Sequence, residues 1–298
     1  LKAMYIMGEN PMVSDPDLAH LEEGLGMLDF LVVQDIFLTE TANLADVVLP
    51  GLTYAEKEGT FTNTERRVQR VRKAVQGPGE ARDDWGIIAD IATAMGYPMT
   101  YAGARDIQRE ICSVTPSYCG ITPESLKEFE GGVQWPCPEP GHPGTPILHA
   151  ERFTRGRGRF IAVEFREPAE KPDRRFPLVL TTGRILTHYH TGSMTRRCSA
   201  LDTLVPQAQA EFSIEDAERY GIAEGDIVEL TTRRGTIEAA ATISEKANTG
   251  VVFMPFHFAE APANLLTGAA LDPVCKIPEY KVSALKVTKR KARKKAAP

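Results

Sequence analysis

The chain has 298 residues, 42% of them hydrophobic and 25% charged, and its 35 Lys and Arg against 40 Asp and Glu give a net charge of −5. These proportions describe a globular protein with room for about two domains and exclude a minidomain or a wholly disordered chain. No apolar run approaches the ~20 residues of a membrane helix and no basic-then-apolar leader is visible, so membrane insertion is not expected and the expected location is cytoplasmic.

The opening LKAMYIMGENP lacks an initiator methionine and reads as a strand already under way, so a piece of something larger is expected. After AMYIMG, Ser14 and Asp15 are placed to cap a helix started by Pro16. A second apolar run, DFLVVQD, ends in Gln34 and Asp35, leads into a short helical TETANLA, and is followed by a third strand, DVVLP, stopped by Pro50. Apolar strands alternating with short helices predict a parallel sheet covered on both faces. Residues 57–75 predict a hairpin or exposed strand from the period-two alternation of Val68, Arg70 and Arg72 against Gln69, Val71 and Lys73. The clearest helix is 83–96, capped by Asp83 or Asp84, with Trp85, Ile88, Ile91 and Ala92 as its apolar stripe and Gly96 with Pro98 as its stop.

Residues 131–158 hold five prolines and six glycines and predict a long irregular connection. Beyond it the pattern is of strands: GRFIAVEF, FPLVLTTG, GDIVELTT turning at Arg234-Gly235 into TIEAAATIS, then GVVFMPF. A capped helix, Ser213 to Gly221, interrupts them. Several strands with close turn signals predict a closed β-barrel. The expected organisation is a partial α/β region over 1–130, the connection 131–158, a barrel domain over 159–288 and a basic tail over 289–298. Seven cations crowd LKVTKRKARKK, leaving the body near −12 (28 against 40). A solvated end is the expected reading of that tail and a nucleic-acid arm the lesser one. The five cysteines, an odd number with no C-x-x-C pair, predict reduced thiols and no zinc or iron–sulfur site.

Three regions carry candidate chemistry. The Gly8-Glu9-Asn10 loop lies at the carboxyl end of a strand before a helix, where open parallel sheets take phosphate-bearing ligands, although such a turn is also a common structural one. Gln34 and Asp35 end the next strand on the same side; a carboxylate there can accept from a guanine edge through bonds of roughly 1.5–3 kcal/mol each, or simply cap a turn. Asp84 is ambiguous in the same way. The stretch TTGRILTHYHTGSMTRR (181–197) gathers two histidines, three arginines and five threonines in a loop too irregular for one strand face. Arg matches phosphate oxygens in a fork, and His or Thr can bond ring heteroatoms, so a phosphate- or pterin-bearing ligand suits the lining better than a metal. The residues alone lead to a binder of a large phosphate-bearing cofactor.

In order along the chain, YIMGENP, LVVQDIFLTETANLADVVLP, EKEGTFTNTERRVQ, DDWGIIADIATAMGYP, QWPCPEPGHPGTPILH, PLVLTTGRILTHYHTGSMTRR and IPEYKVSALKV resemble the C-terminal part of the catalytic subunit of molybdenum- or tungsten-dependent formate dehydrogenases, within the molybdopterin oxidoreductases. The HYHTGSMTRR stretch is also similar to nitrate reductases. The resemblance implies a pair of molybdopterin guanine dinucleotides around one molybdenum or tungsten, and a barrel of the double-psi type. It implies that Gly8, Asn10 and Ser14 contact one dinucleotide, that Gln34, Asp35 and Thr39 hold its guanosine end, and that Asp84 contributes from its helix. It further implies that Thr182, Gly183, Arg184, His188, His190, Ser193, Met194 and Thr195 wrap the pterin, with Asn264, Tyr280 and Lys281 completing the grip. Phe256 stands where some relatives have tyrosine. Formate would give two electrons and a proton or hydride to the metal centre, yielding CO₂, with the electrons leaving through a [4Fe–4S] cluster.

The cluster cysteines and the cysteine or selenocysteine metal ligand of the family have no match here. The resemblance therefore implies that the N-terminal part of the catalytic subunit and electron-transfer iron–sulfur or flavin subunits are partners, that this chain alone does not oxidise formate, and that none of its residues is catalytic or a metal ligand. Nitrate reduction and a non-catalytic cofactor-binding module are the alternatives.

Overall fold

The computed structural model describes residues 1–128 and 131–290. Compactness divides the chain into one unit of Leu1–Val48 with Phe165–Pro298 and another of Leu49–Glu164. This partition joins two segments far apart in sequence, whereas the expected domains run consecutively.

In the first unit, β1 (Ala3–Met7) leads through a single-turn α1 (Pro11–Ser14) and α2 (Leu18–Gly26) to β2 (Phe30–Asp35). β1 and β2 pair in parallel, from Ala3 opposite Phe30 to Met7 opposite Gln34, and β3 (Val47–Pro50) completes the order β1-β2-β3. Ile6, Leu25, Leu31, Val33 and Ala42 bury one face, while Tyr5, Met7 and Phe30 are exposed. The expected helix start at Pro16 is displaced. The Asn-Pro pair at 10–11 supplies the same start signal earlier, and Asp17 in the left-handed region (φ 51°) separates the two helices. TETANLA forms only a 3₁₀ turn at Ala42–Leu44.

The second unit holds β4 (Gly59–Thr62) and β5 (Arg67–Val71) as the expected hairpin, then α3 (Asp84–Ala94), α4 (Ala104–Val114), α5 (Ser125–Glu128) and the short β6 (Val133–Gln134) against β5. In α3 the buried residues are Ile87 and Ala89, and Ile88 is exposed; the expected stripe was turned because hydropathy does not say which flank meets a neighbour. The 131–158 connection is irregular apart from β6. Arg66 (φ 67°) fastens it, donating to the carbonyls of Thr145 (3.1 Å) and Pro146 (3.0 Å).

Back in the first unit, the barrel comprises β7 (Leu178–Gly183), β8 (Gln209–Phe212), β9 (Ile227–Thr231), β10 (Thr236–Ile243), β11 (Val251–Pro255) and β12 (Ser283–Lys289), with α6 (Ser199–Leu204) and α7 (Ile214–Tyr220) between strands. It closes in the order β10-β8-β11-β7-β12-β9 and mixes parallel pairs, β7 with β11 and β8 with β10, among antiparallel ones. Side chains alternate inward and outward, so Leu178, Leu180, Phe212, Leu230, Val252, Met254 and Leu285 fill the interior. This is the expected class, a parallel α/β layer followed by a β-barrel.

GRFIAVEF is not a strand: Phe160, Ile161, Val163 and Phe165 are exposed on a segment without regular structure. A strand needs a paired edge as well as an apolar run, and among the described residues this segment has no strand partner. The tail expected from 289 begins inside β12, where Lys289 pairs with Asp226 (2.6 Å) and Arg290 with Glu238; Lys291, Arg293, Lys294 and Lys295 lie outside the described residues. Among the described residues no helix is long and apolar enough to cross a membrane.

α7 is capped as expected. Ser213, 1% exposed, accepts the Asp216 N–H at 3.1 Å, and Gly221 ends the helix in the left-handed region. Ser213→Ala is expected to lower unfolding free energy by about 0.5–2 kcal/mol, read from the urea midpoint; an unchanged midpoint would show that the cap is dispensable.

Candidate functional site

The polar ends of β1 and β2 form one edge of the site. Gly8 takes φ 64° and donates its N–H to the Gln34 carbonyl at 2.9 Å, so the first loop turns back over the end of β2. Asn10, buried, accepts from the N–H (3.2 Å) and hydroxyl (2.7 Å) of Thr41 and donates to Glu40 (2.7 Å). Thr39 accepts the Ala42 N–H at 3.2 Å, and Gln34 accepts from the Tyr5 hydroxyl. Asp35 receives the N–H groups of Ile36 (2.6 Å) and Phe37 (3.2 Å), the capping alternative that its position allowed.

The barrel supplies the other edge, the loop from Gly183 to Arg197. A Cβ on Gly183 would lie 2.6 Å from the Phe253 ring, so a side chain at the exit from β7 would have to displace that ring. His188, 4% exposed, donates from Nε2 to the Val205 carbonyl (2.8 Å) and faces the Thr195 hydroxyl through Nδ1 (3.2 Å). Thr195 also accepts the Tyr189 N–H at 3.2 Å, and Ser193 bonds Thr191 at 2.8 Å. The three arginines divide. Arg196 is neutralised by Asp202 and Glu260, each at 2.8 Å; Arg197 donates to the Ser193 carbonyl (2.6 Å) and lies over the Phe37 ring at 4.3 Å. Arg184 is exposed, 5.7 Å from the centroid of Phe256, which has no hydroxyl to offer.

Specific contacts bring the two edges together. Asn264 donates to the carbonyls of Val13 (2.8 Å) and Ser14 (3.0 Å), and the Tyr280 hydroxyl donates to the same Ser14 carbonyl at 3.0 Å. The Tyr280 carbonyl accepts from the Thr182 hydroxyl (2.9 Å), and Lys281 donates to the Thr182 carbonyl (2.5 Å). Burial, with a smaller contribution from Asp15, pushes the Tyr280 phenol up to about 12, so it remains a donor at every physiological pH. Asn264 is 2% exposed, and among the described residues its Oδ1 has no partner.

The expected residues thus fall into two sets. Asn10, Thr39, Thr182, His188 and Thr195 have their polar atoms engaged inside the protein and shape the loops; Arg184, His190 and Met194 are exposed on the barrel loop. All but Asp84 lie in the first unit. Asp84 belongs to the second, in the first turn of α3, where it pairs with Lys57. Sequence reasoning missed Thr41, Phe37 and His257. Thr41 sat within the segment read as helical, Phe37 lies between that segment and the preceding strand, and His257 follows a run read only as a strand.

Residues 1–94 match the family model described as Molybdopterin oxidoreductase, and residues 178–284 match that of the Molydopterin dinucleotide binding domain. The chain belongs to the molybdopterin oxidoreductase family. It is 56% identical over 291 residues to the F420-dependent formate dehydrogenase subunit alpha of Methanocaldococcus jannaschii, covering 96% of this chain and 43% of that protein. It is 39% identical over 298 residues to the assimilatory nitrate reductase catalytic subunit of Bacillus subtilis (96% and 42%) and 37% identical over 292 residues to formate dehydrogenase H of Escherichia coli (96% and 41%). It therefore spans less than half the length of these curated relatives. The solved acetylene hydratase from Pelobacter acetylenicus shares the fold, with a TM-score of 0.74 at 19% identity over 97% of this chain and 44% of that one.

Asn264→Ala removes the amide's two donations, to the Val13 and Ser14 carbonyls, and is expected to cost about 1–3 kcal/mol; Tyr280→Phe, which leaves Asn264 in place, is expected to cost about 0.5–1.5 kcal/mol. Equal losses in urea unfolding, or none, would contradict this division of the load.

Proposed function

We propose that this chain is the cofactor-gripping portion of a formate dehydrogenase catalytic subunit that interconverts formate and CO₂ at a molybdenum or tungsten centre carried by paired molybdopterin guanine dinucleotides. One observation carries the reading: the loops at the ends of β1 and β2 and the donor-rich barrel loop converge, fastened by Arg197 on Phe37 and by Asn264 and Tyr280 on Ser14. The residues fit such a group. Buried Asn264 Oδ1 offers an acceptor for a ring N–H, and the exposed guanidinium of Arg184 suits a phosphate or pyranopterin oxygen. Gly8, Ser14, Gln34 and Asp35 would face the guanosine side, and Arg184, His190, Ser193 and Met194 the pterin side, with Lys281 at its margin. Asn10, Thr39, Thr182, Gly183, His188 and Thr195 would hold the shape of these loops.

Bound, the cofactor supplies the two-electron chemistry; the protein supplies position and field. The metal ligand and the [4Fe–4S] cluster would come from the remaining length of the relatives' chain, and electron-transfer subunits would take the electrons onward. F420 is the acceptor we propose, because three relatives at 50–56% identity carry it in their names. Similarity to the assimilatory nitrate reductase sustains nitrate reduction as the second reading.

Co-expression with the complementary N-terminal portion of such a relative is expected to yield a molybdenum- or tungsten-containing complex that oxidises formate and leaves nitrate untouched. Turnover of nitrate without formate would transfer the assignment, and tight cofactor binding without either activity would make the chain a carrier. In the active complex, Arg184→Ala is expected to weaken cofactor retention about 10- to 100-fold, the equivalent of one charge-assisted contact of roughly 1.5–3 kcal/mol. Unchanged metal content after dialysis would remove Arg184 from the grip.

A further inference from the structure

The stretch Pro255-Phe256-His257-Phe258, at the end of β11, forms the bed on which the 183–197 loop lies. The Phe256 N–H donates to the Gly183 carbonyl at 3.3 Å. Phe258 and His188 meet in a T-shaped arrangement with ring centroids 5.3 Å apart, and Phe258 lies beneath the Arg196 guanidinium at 4.7 Å. Between them His257 is 1% exposed. Its Nε2 accepts the Ile185 N–H at 3.0 Å, and its Nδ1 meets the carbonyl of His190. A carbonyl only accepts and a backbone N–H only donates, so the proton sits on Nδ1 and Nε2 is bare: the ring is neutral and one tautomer is selected.

The same residue touches the loop a third time. Its backbone carbonyl lies 2.5 Å from where a Cβ on Gly192 would stand, and Gly192 takes φ 72°. Residues 185, 190 and 192 are therefore indexed to one side chain and its own backbone.

We propose that neutral His257 is the positioning residue that clamps the Ile185–Gly192 segment, and that its protonation releases this segment by placing an N–H against the Ile185 N–H. Only the consequence for cofactor retention rests on the functional reading above; the clamp itself does not. The titratable groups that act on the ring are Arg184, His188 and His190 on the loop; beyond Phe258, Arg196 is already paired with Asp202 and Glu260. Among the described residues no carboxylate acts on the ring itself, so an imidazolium there has no counter-charge of its own. Burial, chiefly, together with these neighbours outweighs the His190 carbonyl and holds His257 below its ordinary 6.5. A depressed folded value means that the unfolded chain takes up the proton first. The stabilisation is complete above pH 6.5 and is lost as pH falls through the folded value.

The test is amide exchange of Ile185 in the full chain between pH 8 and pH 5, corrected for intrinsic rate, with Val179, bonded to the Gly250 carbonyl in the barrel, as the internal control. The ¹⁵N shifts of the His257 ring report the tautomer. Expected are an Nδ1–H ring at pH 8 and, below pH 6.5, at least tenfold faster Ile185 exchange with Val179 unchanged. His257→Gln, whose amide offers both a donor and an acceptor but does not titrate, is expected to keep protection and abolish the pH dependence; His257→Ala is expected to lose protection at every pH. An Nε2–H ring, pH-independent Ile185 exchange in the unaltered chain, or an unaltered pH profile in His257→Gln would each overturn the proposal. The ring tautomer and the glutamine variant decide the matter if the alanine variant does not fold. A chain with the clamp intact that binds no cofactor would overturn the functional reading alone.

Discussion

A loop without a ladder must find partners for its backbone elsewhere, because a buried N–H or C=O left unpaired costs about 1–3 kcal/mol. Between β7 and α6 the chain runs from Arg184 to Cys198 with only one 3₁₀ turn, at Thr195–Arg197. Its order comes from side chains and from the segment after β11: His257 takes Ile185 and His190, Thr195 takes Tyr189, and His188 reaches Val205. The barrel matters to the site chiefly because it fixes this template, with β7 and β11 adjacent and parallel so that both end on the same side.

The same economy operates at the other edge. Asn10 and Thr39 hold the segment after β2, and Asn264 with Tyr280 tie the α1 turn to the barrel. Polar residues that resemble ligand contacts by type are partly framework: their hydrogen bonds are closed within the protein, and the exposed Arg184 and His190 stand on what they build. A loop held by many internal bonds loses little further freedom on binding, which favours affinity.

Much of this was legible in the sequence where local chemistry decides. The alternation of Leu178, Leu180, Leu230, Val252 and Met254 marked the barrel strands, and Ser213 with Asp216 and Gly221 marked α7. Where pairing is non-local the sequence was silent. β8 has four residues, and β12 carries lysines that merged with the basic tail, yet β12 joins β7 to β9 and β8 joins β10 to β11. GRFIAVEF has the pattern without the edge. At the site, residue type singled out the segments, but whether a donor faces outward or inward depends on contacts such as Arg196 with Glu260, sixty-four residues away. His257 was hidden for the same reason, since both its partners precede it by more than sixty residues.

On the proposed function, the strand-end loops and the barrel loop grip a single nucleotide-tailed pterin. Hydrogen–deuterium exchange of the full chain, with and without molybdopterin guanine dinucleotide, addresses that directly. Protection is expected to rise together in 8–14, 35–39 and 184–195; protection confined to one of these segments, or falling outside all of them, would contradict it.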